Sequence, residues 1–163
     1  VVGRDSVEPK KGSQLKQRKH PAKGLFIFLH QATIVFATAC SRHREKNLAN
    51  AIVNDALIGA WKKADRWMIG AYVIRPDHIH FFCSPTDINI VIEPWVTFWK
   101  REFRRTLGDA APRFQTDSFH HRLRDDESYA QKWEYVRANP VRAGLVEQPE
   151  DWPYQGVLNE LRH

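Results

Sequence analysis

The sequence predicts an α+β sandwich in which one sheet carries helices on one face. Three observations support this. Runs rich in β-branched and aromatic residues at 31–41, 66–74 and 78–84 read as strands. The segments between and after them repeat apolar residues at helical spacing. The order is then β-α-β-β-α, with room for a further strand and helix, which suits one sheet under one helical layer. At 163 residues, 42% apolar with six Trp, the chain is long enough to bury a single core.

Residues 1–23 hold seven Lys/Arg against Asp5 and Glu8, a net of +5 out of the chain's +6. Gly, Ser, Gln and Pro are scattered through them without periodicity. This stretch is expected to be a loosely ordered basic arm, followed by a single domain over 24–163. The arm suits a polyanionic partner or serves as a solubilising tail.

"QATIVFATACS" (31–41) is the first strand. In "REKNLANAIVNDALIGAWKKAD" that follows, Ala49, Ile52, Val53, Ala56, Leu57, Ala60 and Trp61 form one helical face. "RWMIGAYVI" (66–74) is the second strand. Arg75-Pro76-Asp77 interrupts it, since Pro lacks a donor, and His78–Ser84 is the third. A second helix begins near Glu93 and Pro94, with Trp95, Phe98, Trp99 and Phe103 on its apolar side. Lys100, Arg101, Arg104 and Arg105 crowd the other side, opposed only by Glu102. "DAAPRFQTDSFHHRLR" shows little periodicity. A last helix is expected from about Asp126 to Ala138, started by the acidic Asp125, Asp126 and Glu127 and stopped by Pro140.

No apolar run approaches the roughly 20 residues of a membrane span, and no signal-peptide pattern opens the chain. Cys40 and Cys83 form no CxxC pair, which fits reduced thiols in a cytoplasmic protein, with a single disulfide as the alternative.

Chemistry concentrates in the third strand. Alternate side chains share a face, so His78, His80 and Phe82 point one way, and Ile79, Phe81 and Cys83 the other. With the latter set in the core, both imidazoles emerge on the open side of the sheet. They are either half of a metal site or two histidines bonded to nearby carbonyls. On the last helix, Tyr129, Trp133 and Val136 share an apolar face, while Tyr135 and Asn139 flank it at i and i+4. Tyr135 is either a nucleophile with an amide ligand one turn on, or a surface tyrosine at the core's edge. Phe114, Phe119 and Trp152 either stack on bases or pack inside. His120 and His121 are either a second ligand set or a surface pair.

"RPDHIHFF" resembles the hydrophobic-His-hydrophobic-His motif of HUH single-strand nucleases. Followed some fifty residues later by "WEYVRANPVRAGLV", it is similar to the REP-associated tyrosine transposases, among the IS200/IS605-like transposases of prokaryotes. The resemblance spans roughly residues 25 to 155. It implies a ferredoxin-like sandwich, an antiparallel sheet with helices on one face and a C-terminal tyrosine-bearing helix. It implies Mg²⁺ or Mn²⁺ on His78, His80 and Asn139, with Tyr135 as the catalytic tyrosine that forms a 5′-phosphotyrosine. Asp77 stands where Asn is also common. The implied partner is single-stranded or hairpin DNA, tracked by Lys100, Arg101, Arg104 and Arg105, in a nucleoid-associated protein of the prokaryotic cytoplasm, a monomer by preference with a dimer as the alternative. The alternative is a domesticated hairpin-binding protein that has lost transposition; an HxH hydrolase with Tyr135 incidental and an RNA-directed nuclease are more distant readings.

Overall fold

A computed structural model describes residues 33–87, 89–124 and 127–162. The expected basic arm, the start of the first strand at 31–32, and Asp125 and Asp126 lie outside the described residues. The elements run β1 (Val35–Cys40), α1 (Ala51–Lys63), β2 (Trp67–Ile74), β3 (His78–Pro85), α2 (Ile92–Leu107), β4 (Phe119–Arg122), α3 (Tyr129–Arg137), α4 (Asn139–Arg142) and β5 (Gln155–Val157). Single 3₁₀ turns occupy 42–44, 108–110 and 149–151.

The five strands form one antiparallel sheet in the order β4-β1-β3-β2-β5. Without β5 this is the ferredoxin-like βαββαβ arrangement. β1 and β2 flank β3, and β3 and β4 flank β1, so each pair is joined by a crossover through a helix. Crossovers of one hand put both helices on one face. There α1 and α2 bury Val53, Leu57, Trp61, Trp95, Trp99 and Phe103 against Ile79, Phe81 and Cys83.

Helix α1 starts later than its periodicity suggests. Asn50 caps it by accepting from the Val53 amide at 2.9 Å, a bond worth about 1 kcal/mol. Ala49, assigned to the helical face from sequence, precedes the helix and packs on the opposite side of the sheet. On α2, Val96 is buried as well, and Phe98 is partly buried against the core, with the Arg101 guanidinium 5.2 Å from its ring.

The other face of the sheet is not open. Tyr129, Trp133 and Val136 of α3 pack there with Ala71, Val73, Phe82, Trp152 and Leu161. A bulge between Ile69 and Tyr72 releases the Ala71 amide from the ladder, and the Tyr129 hydroxyl accepts it at 2.9 Å. Gly70 makes that approach possible, since a Cβ there would lie 2.6 Å from Tyr129 Oη and from Leu161. The tyrosine-bearing helix thus docks on the sheet of its own chain.

Helix α3 begins at Tyr129, where Ser128 caps it through the Gln131 amide. Pro140 ends α3 but does not end helical structure. It sits in the first turn of α4, where its missing donor costs nothing. Cys40 and Cys83 are both free and buried. No described helix is long and apolar enough to cross a membrane.

Candidate active site

The face shared by β4, β1, β3 and α3 gathers the polar chemistry. Strand register sets Thr38 opposite His80, and Phe36 opposite both Phe82 and His121. Alternation then turns Phe36, Thr38, His78, His80 and His121 to the same side. The imidazoles of His78 and His80 converge, with their Nε2 atoms 3.1 Å apart. Each Nδ1 has its own partner: Asp77 Oδ1 at 2.6 Å for His78, and Thr38 Oγ1 at 2.8 Å for His80. Asp77 is held from the other side by Arg44 Nε at 3.0 Å. Phe36 stacks on the His80 ring at 5.3 Å.

This geometry fits a cation. Two nitrogens bound at right angles at about 2.0–2.1 Å from one ion lie about 3 Å apart, close to the spacing seen. Histidines that hold metals bond their second nitrogen to a carboxylate or similar group, and here each second nitrogen has a polar oxygen partner, Asp77 for His78 and Thr38 for His80. Among the described residues no three His, Cys, Asp or Glu side chains form a complete ligand cluster. A cation here would take its remaining ligands from other groups.

Charge around the pair is positive. Burial depresses the pKa of His80 to about 3, helped by His78, Arg75, Arg44 and Lys132. Burial also lowers that of His78, against the pull of Asp77. Asp77 is raised by burial, but its bond to His78 and the charges of His78 and Arg44 outweigh this and leave it below its usual range. Both imidazoles are therefore neutral at pH 7.

The folded pKa of His80 lies below the unfolded value near 6.5, so the unfolded chain binds the extra proton first as pH falls. Stability should drop by about 2 kcal/mol between pH 7 and pH 5 from this group alone. Urea unfolding at both pH values checks this: His80→Gln should show the smaller loss, and equal losses would refute it.

Tyr135 is 63% exposed on α3. The Arg142 guanidinium lies 4.2 Å over its ring, and Arg142 Nη2 donates to the Tyr135 carbonyl at 2.8 Å. The same nitrogen donates to Asn139 Oδ1 at 2.5 Å. Tyr135 and Asn139 are thus joined through Arg142, and neither hydrogen-bonds to the imidazoles. Lys100, Arg101, Arg104 and Arg105 lie on α2, across the sheet from the histidines. Lys100 turns inward, donating to the Gln115 carbonyl and Ser118 Oγ at 2.9 and 3.0 Å, and burial pushes its pKa down to about 8. Arg105 pairs with the buried Glu102 at 3.2 Å, and Arg101 and Arg104 are exposed.

Phe114 packs on Trp99 and Phe103. Trp152 is buried and donates to the Ile74 carbonyl. His120 and His121 belong to strand β4 and face opposite sides. His121 meets the Phe36 ring edge at 5.5 Å, while His120 lies 3.5 Å from Glu93 of α2.

Sequence reasoning assigned no role to Thr38, Arg44, Lys132 or Arg142. Lys132, whose Nζ stands 5.3 Å over the Phe36 ring, was detectable from helical spacing, one turn before Tyr135. Thr38 was not, because only strand register brings it to His80.

No family model matches the chain. It is 30% identical over 107 aligned residues to a Haemophilus influenzae protein provisionally named REP-associated tyrosine transposase, covering 56% of this chain and 60% of that one. It is 31% identical over 97 residues to the REP-associated tyrosine transposase of Escherichia coli, covering 56% of each. The chain thus spans somewhat more than half the length of these curated relatives. Among solved structures, a REP-associated tyrosine transposase bound to a REP hairpin matches with a TM-score of 0.62 at 24% identity, over 86% of this chain and 81% of that one. That likeness bears out the α+β fold, and the curated relatives bear out the resemblance read from the sequence.

Proposed function

We propose that this chain is a divalent-metal-dependent single-strand DNA endonuclease and strand transferase, acting at hairpin-associated sites through a 5′-phosphotyrosine. The observation that carries the reading is the convergence of His78 and His80 at 3.1 Å, each oriented by its own second partner. A bound Mg²⁺ or Mn²⁺ would polarise the scissile phosphate and offset charge as attack develops.

The chain's own residues supply the rest. Tyr135 offers an accessible phenol on a helix docked to the histidine face. Its oxygen bonds to phosphorus as the bond to the 3′ oxygen breaks. The phenolic proton passes to solvent, and the departing oxygen gains one to become a free 3′-OH. The phosphotyrosine ester keeps the bond energy, so a second 3′-OH can reverse the step and join strands. Arg44, Arg75 and Lys132, whose fields all reach His80, give the face the charge to hold a phosphodiester. Asn139 is proposed as a further ligand, which requires its Oδ1 to leave Arg142. Arg101 and Arg104, with Lys100 and Arg105 beside them, would serve DNA running along α2. Hairpin DNA is the proposed partner because the solved neighbour holds a REP hairpin. A monomer is proposed because α3 docks on its own sheet.

The test is covalent capture. Labelled single-stranded hairpin DNA, with and without Mn²⁺, is incubated with the protein and run on a denaturing gel. An adduct that requires Mn²⁺ and is lost in His80→Ala is expected. Cleavage without an adduct would replace the tyrosine with a metal-activated water. Tight binding without cleavage would favour a domesticated hairpin binder.

A further inference from the structure

We infer that Thr38 is a positioning residue for His80: its hydroxyl donates to His80 Nδ1 in the metal-free protein and accepts from it once a cation occupies Nε2. The inference rests on the metal-site reading above, and it concerns how the chain prepares that site.

The hydrogen-bond chain permits one consistent assignment for neutral rings. An ionised Asp77 only accepts, so at 2.6 Å the His78 Nδ1 must carry hydrogen. His78 Nε2 is then a lone pair. His80 Nε2, 3.1 Å away, must donate to it. That leaves His80 Nδ1 as a lone pair, and Thr38 Oγ1 must donate at 2.8 Å. The metal-free protein therefore holds two unlike tautomers, and only His78 already presents its Nε2 lone pair.

Binding a cation between the two Nε2 atoms requires His80 to change. Its ring hydrogen must leave Nε2 and one must be gained at Nδ1, with no net change in ring charge. Nδ1 then needs an acceptor. A hydroxyl is both donor and acceptor, so Thr38 can turn its hydrogen away and offer a lone pair from the same place. A carboxylate at position 38 would fix the second tautomer, and an apolar side chain would satisfy neither. The β1–β3 pairing sets Thr38 against His80, and Phe36 stacks on the His80 ring, so the hydroxyl is held beside Nδ1. The two histidines thus have different supports, a fixed acceptor for His78 and a reversible partner for His80.

The test uses the full chain with ¹⁵N-labelled histidine. Long-range ¹H–¹⁵N spectra separate protonated ring nitrogens from those bearing lone pairs. Without metal, His78 should carry hydrogen on Nδ1 and His80 on Nε2. With Zn²⁺ as a diamagnetic probe, both should carry it on Nδ1. Mn²⁺ affinity, followed by the EPR signal of free ion, should fall about 10–100-fold in Thr38→Val and return close to wild type in Thr38→Ser. A His80 tautomer that is the same in both states would overturn the inference, as would undiminished Mn²⁺ binding in Thr38→Val. If Zn²⁺ alters neither imidazole of the wild type, the metal-site reading itself fails and the inference falls with it.

Discussion

Tyr135→Phe is expected to abolish the covalent DNA adduct, lowering strand cleavage about 10⁴-fold or more, as loss of a covalent nucleophile does elsewhere. Stability should change by no more than about 0.5 kcal/mol. The side chain is 63% exposed, and its hydroxyl makes no described hydrogen bond. The Arg142 guanidinium over its ring can stack on phenylalanine equally well, and Arg142 also holds the residue through its backbone carbonyl. The substitution therefore removes the oxygen proposed as the nucleophile and leaves the helix that presents it. Adduct on a denaturing gel and the thermal midpoint, read on the same preparations, check both halves. Adduct that persists in Tyr135→Phe would exclude this tyrosine as the nucleophile. A large fall in midpoint would show that the hydroxyl has a structural role.

How far the sequence could be read depended on how local each signal was. Strand alternation at 78–83 divides His78, His80 and Phe82 from Ile79, Phe81 and Cys83, and the structure keeps that division. Helical periodicity likewise places Trp95, Trp99 and Phe103 in the core. Thr38 lay beyond reach because it meets His80 across 42 residues of chain, through a register that a one-residue slip would invert. The further strand allowed for after the second helix could not be placed at β4, because a four-residue edge strand containing two histidines leaves too short an alternation to read. Lys100 lies on the polar side by helical angle. Its long stem nevertheless carries the ammonium inward, to 6.0 Å from the Trp99 ring and 5.9 Å from the Phe114 ring, and onto the Gln115 carbonyl. Arg142 escaped notice because Pro140 marked an end, whereas the chain turns there into α4 and brings a cation back over Tyr135.

Phe82→Ala should separate the support of the tyrosine helix from the support of the core. Phe82 is fully buried on the histidine face, with its ring 5.0 Å from Phe36, 4.9 Å from Tyr129 and 6.4 Å from Trp133. Its removal should cost about 3–5 kcal/mol in urea unfolding. Its neighbour Phe81 is equally buried but points the other way, into Trp61, Trp95 and Trp99, so Phe81→Ala should cost a similar amount. The two variants should differ in where the loss is felt. In Phe82→Ala, amides of α3 should exchange faster relative to those of α1, because the void opens beneath Tyr129 and Trp133. In Phe81→Ala the order should reverse. Adduct formation should follow α3, and so fall further in Phe82→Ala than in Phe81→Ala at matched stability. Equal exchange of α3 in the two variants would mean that the helix is held chiefly by the Tyr129–Ala71 bond and the C-terminal segment, and that Phe82 is not what holds the Tyr135-bearing helix to the sheet.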